Sequence, residues 1–413
     1  MRIVSGRAAV ALVERLAARG SRLNQLEPRV RRIVDGVRRG EERALRRYAQ
    51  RWDGLSRGQS LRVSEQEMAA AERMIAPQLR KSLREAEHNI RRFCDWQMPS
   101  DWMRTRSGIS VGQIVRPLES VGCYVPGGRY PLVSTLLMTV VPAQVAGVKN
   151  IQVVSPRPST EVMAAAAMLG VREFYRVGGA HAIAALAYGA NSIPKVDKIV
   201  GPGNAYVTVA KKLVSFDCAI DFLAGPTEAV VLSDSGVPEF IAADLVAQAE
   251  HDPETLAVFI TSSRSLAHLV KVNAAQLAKG NSTALKALQA RGVILVAGSR
   301  EQGRSWANQI APEHITVSKE DLPFVQNAGS IFVGDYSAQA VGDYASGPNH
   351  VLPTSGQARF RGGLSVADFV KVITVQRLSA DGLRRISPAV ECLAAAEGLP
   401  AHARSVSVRC EHA

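Results

Sequence analysis

Polar side chains that could bind a cation or exchange protons recur at short spacings in the second half of the chain. Gln248 and His251 lie three residues apart near the end of a predicted helix, so both leave the same helix face and could reach one ion. Glu313 and His314 are adjacent where a predicted helix gives way to a strand, and their pKa values could be set apart for two proton transfers. Taken alone, each pair is more typical of an ordinary hydrogen-bonded surface.

Two further polar segments could contribute to the same site. Asp343, Asn349 and His350 lie in a loop whose glycines give it room to fold over a ligand, and Glu397 and His402 are five residues apart near the C-terminus. Gln, His and Asp side chains offer nitrogen and oxygen ligands without a thiolate, which suits a catalytic zinc or similar divalent ion. The spacing leaves open whether these segments meet.

The elements that must position these side chains alternate between strand and helix. From residue 121, four short β-rich runs are each followed by a glycine turn and an alanine-rich helix, and a second alternating series runs from residue 229 to residue 333. This alternation predicts parallel sheets wrapped by helices. The fold class is therefore α/β, with two Rossmann-like parallel-sheet units between a helical N-terminal segment and a C-terminal tail. In that tail we expect a helix over residues 365–396 and a strand over 405–408.

Glycine turns follow three of the predicted strands, at Gly127-Gly128, Gly178-Gly179 and Gly201 to Asn204. In open α/β sheets ligands bind outside the carboxyl ends of strands, where glycine lets the backbone approach a phosphate. A dinucleotide could bind there. The fingerprint GxGxxG is absent, however, and glycine turns also occur in this fold for steric reasons, so the signal is weak.

Composition limits the class of protein. The 413 residues are 46% apolar and 21% charged, which is typical of a globular chain of two or three packing units. No apolar run is long enough for a membrane helix, and five scattered cysteines fit a reducing compartment, so we expect a cytoplasmic protein. Of the net charge of +13, a surplus of 11 lies in residues 1–120, which hold 25 Lys and Arg against 14 Asp and Glu. We interpret it as solvated helix faces and expect no nucleic-acid or membrane partner.

Several motifs, taken in chain order, closely resemble those of the histidinol dehydrogenase family. They occur in the family's order at near-family spacing and cover nearly the whole chain. The segments are Val121 to Gly128, Val177 to Ala185, Lys198 to Asn204, Ala224 to Glu228, Gln248 to Asp252, Ala311 to His314, Gly342 to Gly347 and Glu397 to His402.

This resemblance implies a zinc-dependent enzyme that oxidises L-histidinol through L-histidinal to L-histidine with two NAD, in the last steps of histidine biosynthesis. It implies that Glu313 and His314 are the acid-base residues. The implied zinc ligands are Gln248, His251, Asp343 and His402. The implied NAD contacts are Tyr124, His181 and Asn204. The implied substrate contacts are Thr227, Gln248, His251, His314, Asp343, Glu397 and His402.

The resemblance also implies an aldehyde-dehydrogenase-like arrangement and a homodimer whose sites are completed across subunits. We expect an N-terminal helical arm (1–18), a first Rossmann-like domain (19–123 plus 227–364), a second on the NAD side (124–226), and a C-terminal helical tail (365–413) that reaches the partner. His181 departs from the family's usual Gln, and Thr227 from its usual Ser.

Three alternatives stay open. A related dehydrogenase on the same scaffold could act on another amino alcohol or a sulfonated diol. A nucleic-acid-binding protein could use the basic N-terminal segment, although it would leave the polar motifs after residue 240 unexplained. A catalytically dead relative is disfavoured because all four implied ligand positions are retained.

Overall fold

The computed structural model describes residues 1–20, 22–127 and 131–412, and these residues form three sheets and fifteen α-helices. The strands are β1 (Arg2–Ser5), β2 (Trp102–Arg106), β3 (Ile109–Pro117), β4 (Ser120–Tyr124), β5 (Asn150–Val154), β6 (Glu173–Tyr175), β7 (Lys198–Val200), β8 (Ala219–Ile220), β9 (Glu228–Leu232), β10 (Leu256–Thr261), β11 (Val293–Val296), β12 (His314–Val317), β13 (Ser330–Val333) and β14 (Val370–Leu378). The helices are α1 (Gly6–Ala17), α2 (Glu27–Tyr48), α3 (Glu65–Met74), α4 (Pro77–Gln97), α5 (Val133–Val145), α6 (Thr160–Met168), α7 (Gly179–Tyr188), α8 (Ala205–Val214), α9 (Pro238–Ala249), α10 (Arg264–Leu277), α11 (Ser282–Ala290), α12 (Arg300–Ile310), α13 (Gln339–Tyr344), α14 (Ala380–Ala396) and α15 (Pro400–Glu411).

The larger sheet has six parallel strands in the order β1-β11-β10-β9-β12-β13. Strands β9, β10 and β11 are buried along their whole length because helices cover both faces of the sheet. Burial on both faces explains why these strands read as continuous apolar runs rather than as alternating patterns.

A second sheet has five parallel strands in the order β6-β5-β4-β7-β8. In chain order this is 3-2-1-4-5, the arrangement of a mononucleotide-binding α/β unit. Helices α5 to α8 connect its strands, and α2, α3 and α4 pack over them. The two parallel sheets confirm the predicted fold class.

Residues 27–97 pack differently from the expected domain division. The buried face of α2, which includes Val30, Val34 and Val37, contacts α7 and α8 of the five-stranded unit, and α3 and α4 contact α6 and α5. These helices thus lie against the five-stranded unit, whereas the expected division places residues 19–123 in the first Rossmann-like domain, with residues 227–364. Strand β1 lies inside the expected helical arm and pairs with β11. The four domain ranges otherwise stay a prediction.

Strand β14 and helices α14 and α15 form a C-terminal arm, residues 370–411, and β14 belongs to the third sheet. Strand β14 pairs antiparallel with β3 over nine residues, and β2 pairs with the other edge of β3. The predicted helix over 365–396 is therefore wrong for residues 370–378, and the predicted strand over 405–408 is wrong because those residues lie in α15. Both faces of β14 are largely exposed, so its sequence carries no alternation of buried and exposed positions that would indicate a strand.

No helix among the residues that the structure describes is long and apolar enough to cross a membrane.

Candidate active site

The Glu313-His314 pair lies at the amino-terminal edge of the six-stranded sheet. Helix α12 ends at Ile310, the next residue, Ala311, has a left-handed φ of 49° that turns the chain sharply toward β12, and His314 is the first residue of that strand. On the neighbouring strand β9, the Glu228 backbone N–H donates to Glu313 Oε2 at 3.0 Å. Both members of the pair are buried, with Glu313 8% and His314 2% exposed. The pair is therefore an interior feature, not the surface pair that the sequence alone favours.

Asp343 joins this pair to the end of helix α9. Gln248 Nε2, in the last turn of α9, donates to Asp343 Oδ2 at 3.0 Å. His314 Nε2 lies 3.5 Å from Asp343 Oδ1, and His314 Nδ1 lies 3.8 Å from Glu313 Oε2. Three of the separated polar segments thus converge within hydrogen-bonding and ion-pairing distance.

Burial and neighbouring charges shift the pKa values of these groups by different amounts and in different directions. Burial raises the pKa of Glu313 to about 8. Burial alone would lower the pKa of His314, but the Asp343 and Glu313 carboxyls outweigh it, so that pKa is raised. For Asp343, burial opposes ionisation, yet the contact with His314 and the charge of that imidazole hold its pKa below the usual range. The site therefore contains a protonatable acid, an imidazole and a carboxylate at once.

Buried polar atoms without partners surround Asp343. Gln248 Oε1 and both ring nitrogens of His314 are buried and make no hydrogen bond within the described part of the chain. Leaving such atoms unpaired costs about 1–3 kcal/mol each, so they indicate a ligand. His251, one turn beyond Gln248, is exposed at the rim, where its charge acts on Asp343. An amide oxygen, a carboxylate and an imidazole are nitrogen and oxygen donors that fit zinc.

His350 connects this site to the five-stranded unit. Its Nδ1–H donates to the Asp343 carbonyl oxygen at 2.7 Å, and its Nε2 lies 3.3 Å from Thr135 Oγ1 in the first turn of α5. Burial lowers the pKa of His350, so the ring is neutral and Thr135 donates to it. Because α5 follows β4, the carboxyl edge of the five-stranded sheet lies beside Asp343.

Asp244 is a site residue that sequence reasoning missed. It lies one helical turn before Gln248 on α9, accepts a hydrogen bond from the Gln339 backbone N–H at 3.2 Å, and its pKa is raised to about 6 by burial. The charges of His314 and Asp343 also act on it. Its spacing of four residues from Gln248 was a usable signal, since residues i and i+4 share a helix face.

The expected cofactor residues lie at the carboxyl edge of the five-stranded sheet. Tyr124 ends β4, and its hydroxyl accepts a hydrogen bond from the Gly179 backbone N–H at 3.0 Å. Asn204 is exposed and caps α8, its Oδ1 accepting from the N–H groups of Tyr206 and Val207. In the first glycine turn, Gly128 lies outside the described residues.

His181 faces inward from the first turn of α7. Its Nε2 is 2.7 Å from Asp53 Oδ2, which also accepts from the Gly178 N–H at 2.9 Å, and the ring packs against Tyr48 and Trp52. The side chain is 2% exposed. Its polar partner is Asp53, a residue that the sequence did not single out because it lies 128 positions away.

Three of the expected residues are not drawn into this cluster. Thr227 is half-buried directly before β9, and its carbonyl accepts from the Leu256 N–H. Glu397 directly follows α14 and His402 lies on α15, and both side chains are exposed on the arm. Within the described ranges of this single chain, no three His, Cys, Asp or Glu side chains are grouped to hold a metal.

Two parallel sheets of Rossmann-like order define the class of fold, a nucleotide-binding type of α/β protein, and a buried acid-base pair lies beside them. The family model for histidinol dehydrogenase matches residues 16–410. The chain therefore belongs to the histidinol dehydrogenase family.

Individual relatives agree with this assignment. A histidinol dehydrogenase from Methanothermobacter thermautotrophicus is 46% identical over 389 residues, covering 90% of this chain and 91% of the relative. One from Aquifex aeolicus is 43% identical and covers 96% of both. The crystal structure of the enzyme from Elizabethkingia anophelis superimposes with a TM-score of 0.94 at 33% identity, covering 100% of this chain and 98% of the other.

Proposed function

We propose that this chain oxidises L-histidinol through L-histidinal to L-histidine, with two NAD as hydride acceptors, as part of histidine biosynthesis. The observation that carries the proposal is the buried Glu313-His314 pair, whose imidazole lies 3.5 Å from Asp343, the carboxylate that also accepts from Gln248. A buried base beside a carboxylate and an amide oxygen suits an alcohol substrate that must be oriented and deprotonated.

Zinc is the proposed metal. Gln248, His251 and Asp343 would bind it, together with His402 of the partner subunit. Their donor atoms are nitrogen and oxygen only, and the unpaired, buried Gln248 Oε1 leaves a place for a cation. When bound, zinc orients the substrate's polar groups and polarises its hydroxyl.

His314 and Glu313 would divide the proton transfers between them. His314 Nε2 would accept the proton of the alcohol in the first oxidation, and its contact with Asp343 would stabilise the resulting imidazolium. Glu313 would take a proton from water, so that the oxygen adds to the aldehyde before the second oxidation. The pKa of about 8 allows Glu313 to gain and lose a proton near neutral pH.

Tyr124, His181 and Asn204 would form the NAD side of the site. NAD supplies the hydride acceptor for each oxidation. Asn204 is exposed at the start of α8, where it can contact a bound dinucleotide directly. Tyr124 would hold the Gly179 turn through its hydroxyl, while His181 would fix Asp53 against the adjoining Gly178 turn.

The proposed protein is a homodimer in which the arm supplies residues to the partner's site. Several apolar side chains of the arm are exposed, among them Val372 at 52%, Ile373 at 43% and Leu393 at 65%. A group of exposed apolar side chains of this kind favours burial in an interface. Thr227 would contact substrate from its own chain, and Glu397 and His402 from the other. Cytoplasmic residence is proposed from five cysteines that are all free thiols.

A substrate panel tests the function. Purified protein loaded with zinc is given NAD and histidinol, an amino alcohol without imidazole, or a sulfonated diol, and NADH is followed by absorbance. We expect NADH with histidinol and little with the others. Turnover of another alcohol without histidinol oxidation would overturn the proposed substrate. The exposed-surface variant Gln309→Ala is the control protein, and it should give the same pattern across the panel as the wild type.

A further inference from the structure

A separate cavity of about 190 Å³ lies beside the five-stranded sheet, away from the Glu313-His314 pair. The residues that line it include Asp53, Gln59, Glu67, Arg157, Met163 and Arg176. Arg157 lies in the turn after β5, and Arg176 directly follows the neighbouring strand β6. Two adjacent strands thus end in arginines at the carboxyl edge of the sheet, where this type of fold binds its ligands.

The unsatisfied groups in this cavity are donors. Asp53 accepts from the Gly178 N–H and from His181, and Glu67 accepts from Arg176 at 2.8 Å and from the Ser64 N–H at 2.9 Å. Both carboxylates therefore have partners.

The arginines, by contrast, have N–H donors without a partner in the described part of the chain. Arg176 Nε is buried without a hydrogen-bond partner. Arg157 is exposed at the mouth of the cavity and makes no hydrogen bond or ion pair with any residue that the structure describes, so its guanidinium is open to a ligand. A ligand that pairs with Arg176 Nε must present an acceptor, and guanidinium groups bind phosphate oxygens particularly well.

The backbone holds Arg157 in an unusual conformation. Its φ is +48°, a region that few residues other than glycine adopt. The preceding Pro156 packs closely against Gly127 and Gly178, where a Cβ atom would collide with it. The turn after the second strand is thus wedged between the turns after the first and third strands, and this packing fixes the position of Arg157.

We propose that this cavity binds the 2′-phosphate of a phosphorylated nicotinamide cofactor, so that the chain accepts NADP. In mononucleotide-binding sheets, the region after the second strand faces the adenosine ribose, where a carboxylate accepts from the 2′-hydroxyl and an arginine accommodates a 2′-phosphate. Here the turn is Ser155-Pro-Arg-Pro158, with an arginine and no acid. The inference rests on the proposed function, since it assumes that the cofactor binds along this sheet.

Calorimetry with two small probes, 2′,5′-ADP and 5′-AMP, tests the inference without substrate or metal. We expect wild-type protein to bind 2′,5′-ADP roughly tenfold more tightly than 5′-AMP. Arg157→Ala should remove this preference, and Arg157→Lys should keep part of it, since lysine keeps the charge but not the two-pronged geometry. Arg172→Ala, an exposed arginine before the start of β6, is the control that should leave the ratio unchanged.

Equal binding of the two probes, or a preference that survives Arg157→Ala, would overturn the inference. So would inorganic phosphate that binds as tightly as 2′,5′-ADP, since the cavity would then be a site for free phosphate. Histidinol oxidation with NAD is measured separately. If that reaction proceeds while the probes bind equally, only this inference fails; if the preference is present while histidinol is not oxidised, only the proposed substrate fails.

Discussion

Glu313 gives the site its clearest expected pH dependence. Because burial raises its pKa to about 8, most of the group is protonated at pH 7 and cannot accept a proton from water. The rate of histidinol oxidation should therefore rise with pH, reach half its maximum near the pKa of Glu313, and level off above about pH 9. Glu313→Gln should remove the part of this rise that Glu313 causes, leaving the part due to His314, and lower kcat roughly 10²- to 10⁴-fold.

A pH series of steady-state rates checks this expectation. Glu320→Gln removes a carboxylate that is 69% exposed, and should change neither the rate nor the profile. If the Glu313→Gln enzyme keeps the same rise between about pH 7 and about pH 9, Glu313 is not the titrating base.

Metal content reports directly on Gln248 and Asp343. Their side chains are hydrogen-bonded to each other at 3.0 Å, and both would bind the ion. Asp343→Asn and Gln248→Ala should each lower zinc affinity by tenfold or more. Mass spectrometry of the metal after dialysis measures it, with Gln309→Ala as the control. Zinc retained at wild-type levels in both variants would contradict the ligand assignment.

At the scale of residues, adjacency and helical spacing were the signals that could be read from the sequence. Glu313 and His314 are neighbours, and Gln248 lies near His251, so both pairs were visible. The contact of His350 with Thr135 joins residues 215 positions apart, and that of His181 with Asp53 spans 128. Such contacts depend on how the sheets pack, which no local pattern encodes.

Helix α13 positions Asp343 through one tight contact. A Cβ atom on Gly342 would lie 2.7 Å from the Phe332 ring, which in turn stacks on His314 with ring centroids 5.8 Å apart. Gly342→Ala should therefore displace α13 or Phe332, costing about 1–3 kcal/mol of stability and weakening zinc binding.

Thermal unfolding and zinc titration of the Gly342→Ala protein measure the two effects. Val341→Ala, an exposed change on the same helix, is the matched control. Unchanged zinc affinity in Gly342→Ala would mean that this packing does not hold Asp343 in place.

Strands can be predicted from the sequence where both of their faces are buried. The apolar runs of β9, β10 and β11 indicated strands at nearly their observed bounds, because helices cover both sides of that sheet. The sequence predicts helix where strand β14 lies, since its exposed faces leave no periodic signal. Its pairing partner, β3, lies about 260 residues earlier in the sequence. Local pattern therefore predicts the parallel units and misses the antiparallel arm.

The proposed dimer makes a prediction at the scale of the whole molecule. If His402 completes the partner's site, a Gln248→Ala chain and a His402→Ala chain can repair each other. In a mixed dimer one site receives both defects and the other receives none, so random exchange of equal amounts should restore roughly a quarter of wild-type activity. Assays before and after subunit exchange measure it, and mixtures that stay as inactive as the separate variants would refute a shared site.

Long-range assembly was the part of the molecule least accessible from the sequence. Strand β1 at the start of the chain pairs with β11, almost 300 residues later, and completes one edge of the six-stranded sheet. The amino edge of that sheet carries Glu313 and His314, while the carboxyl edge of the other sheet carries Tyr124 and Asn204. Only the packing of the two sheets brings Asp343 near α5.

Counting NADH per histidinol tests the central claim most directly, namely that one zinc-dependent site carries out two successive oxidations of this alcohol. Limiting histidinol is incubated to completion with zinc-loaded protein and excess NAD, and the products are measured by absorbance and chromatography. Two successive oxidations at one site should give two NADH and one histidine for each histidinol consumed. One NADH with free histidinal, or no NADH at all, would contradict it.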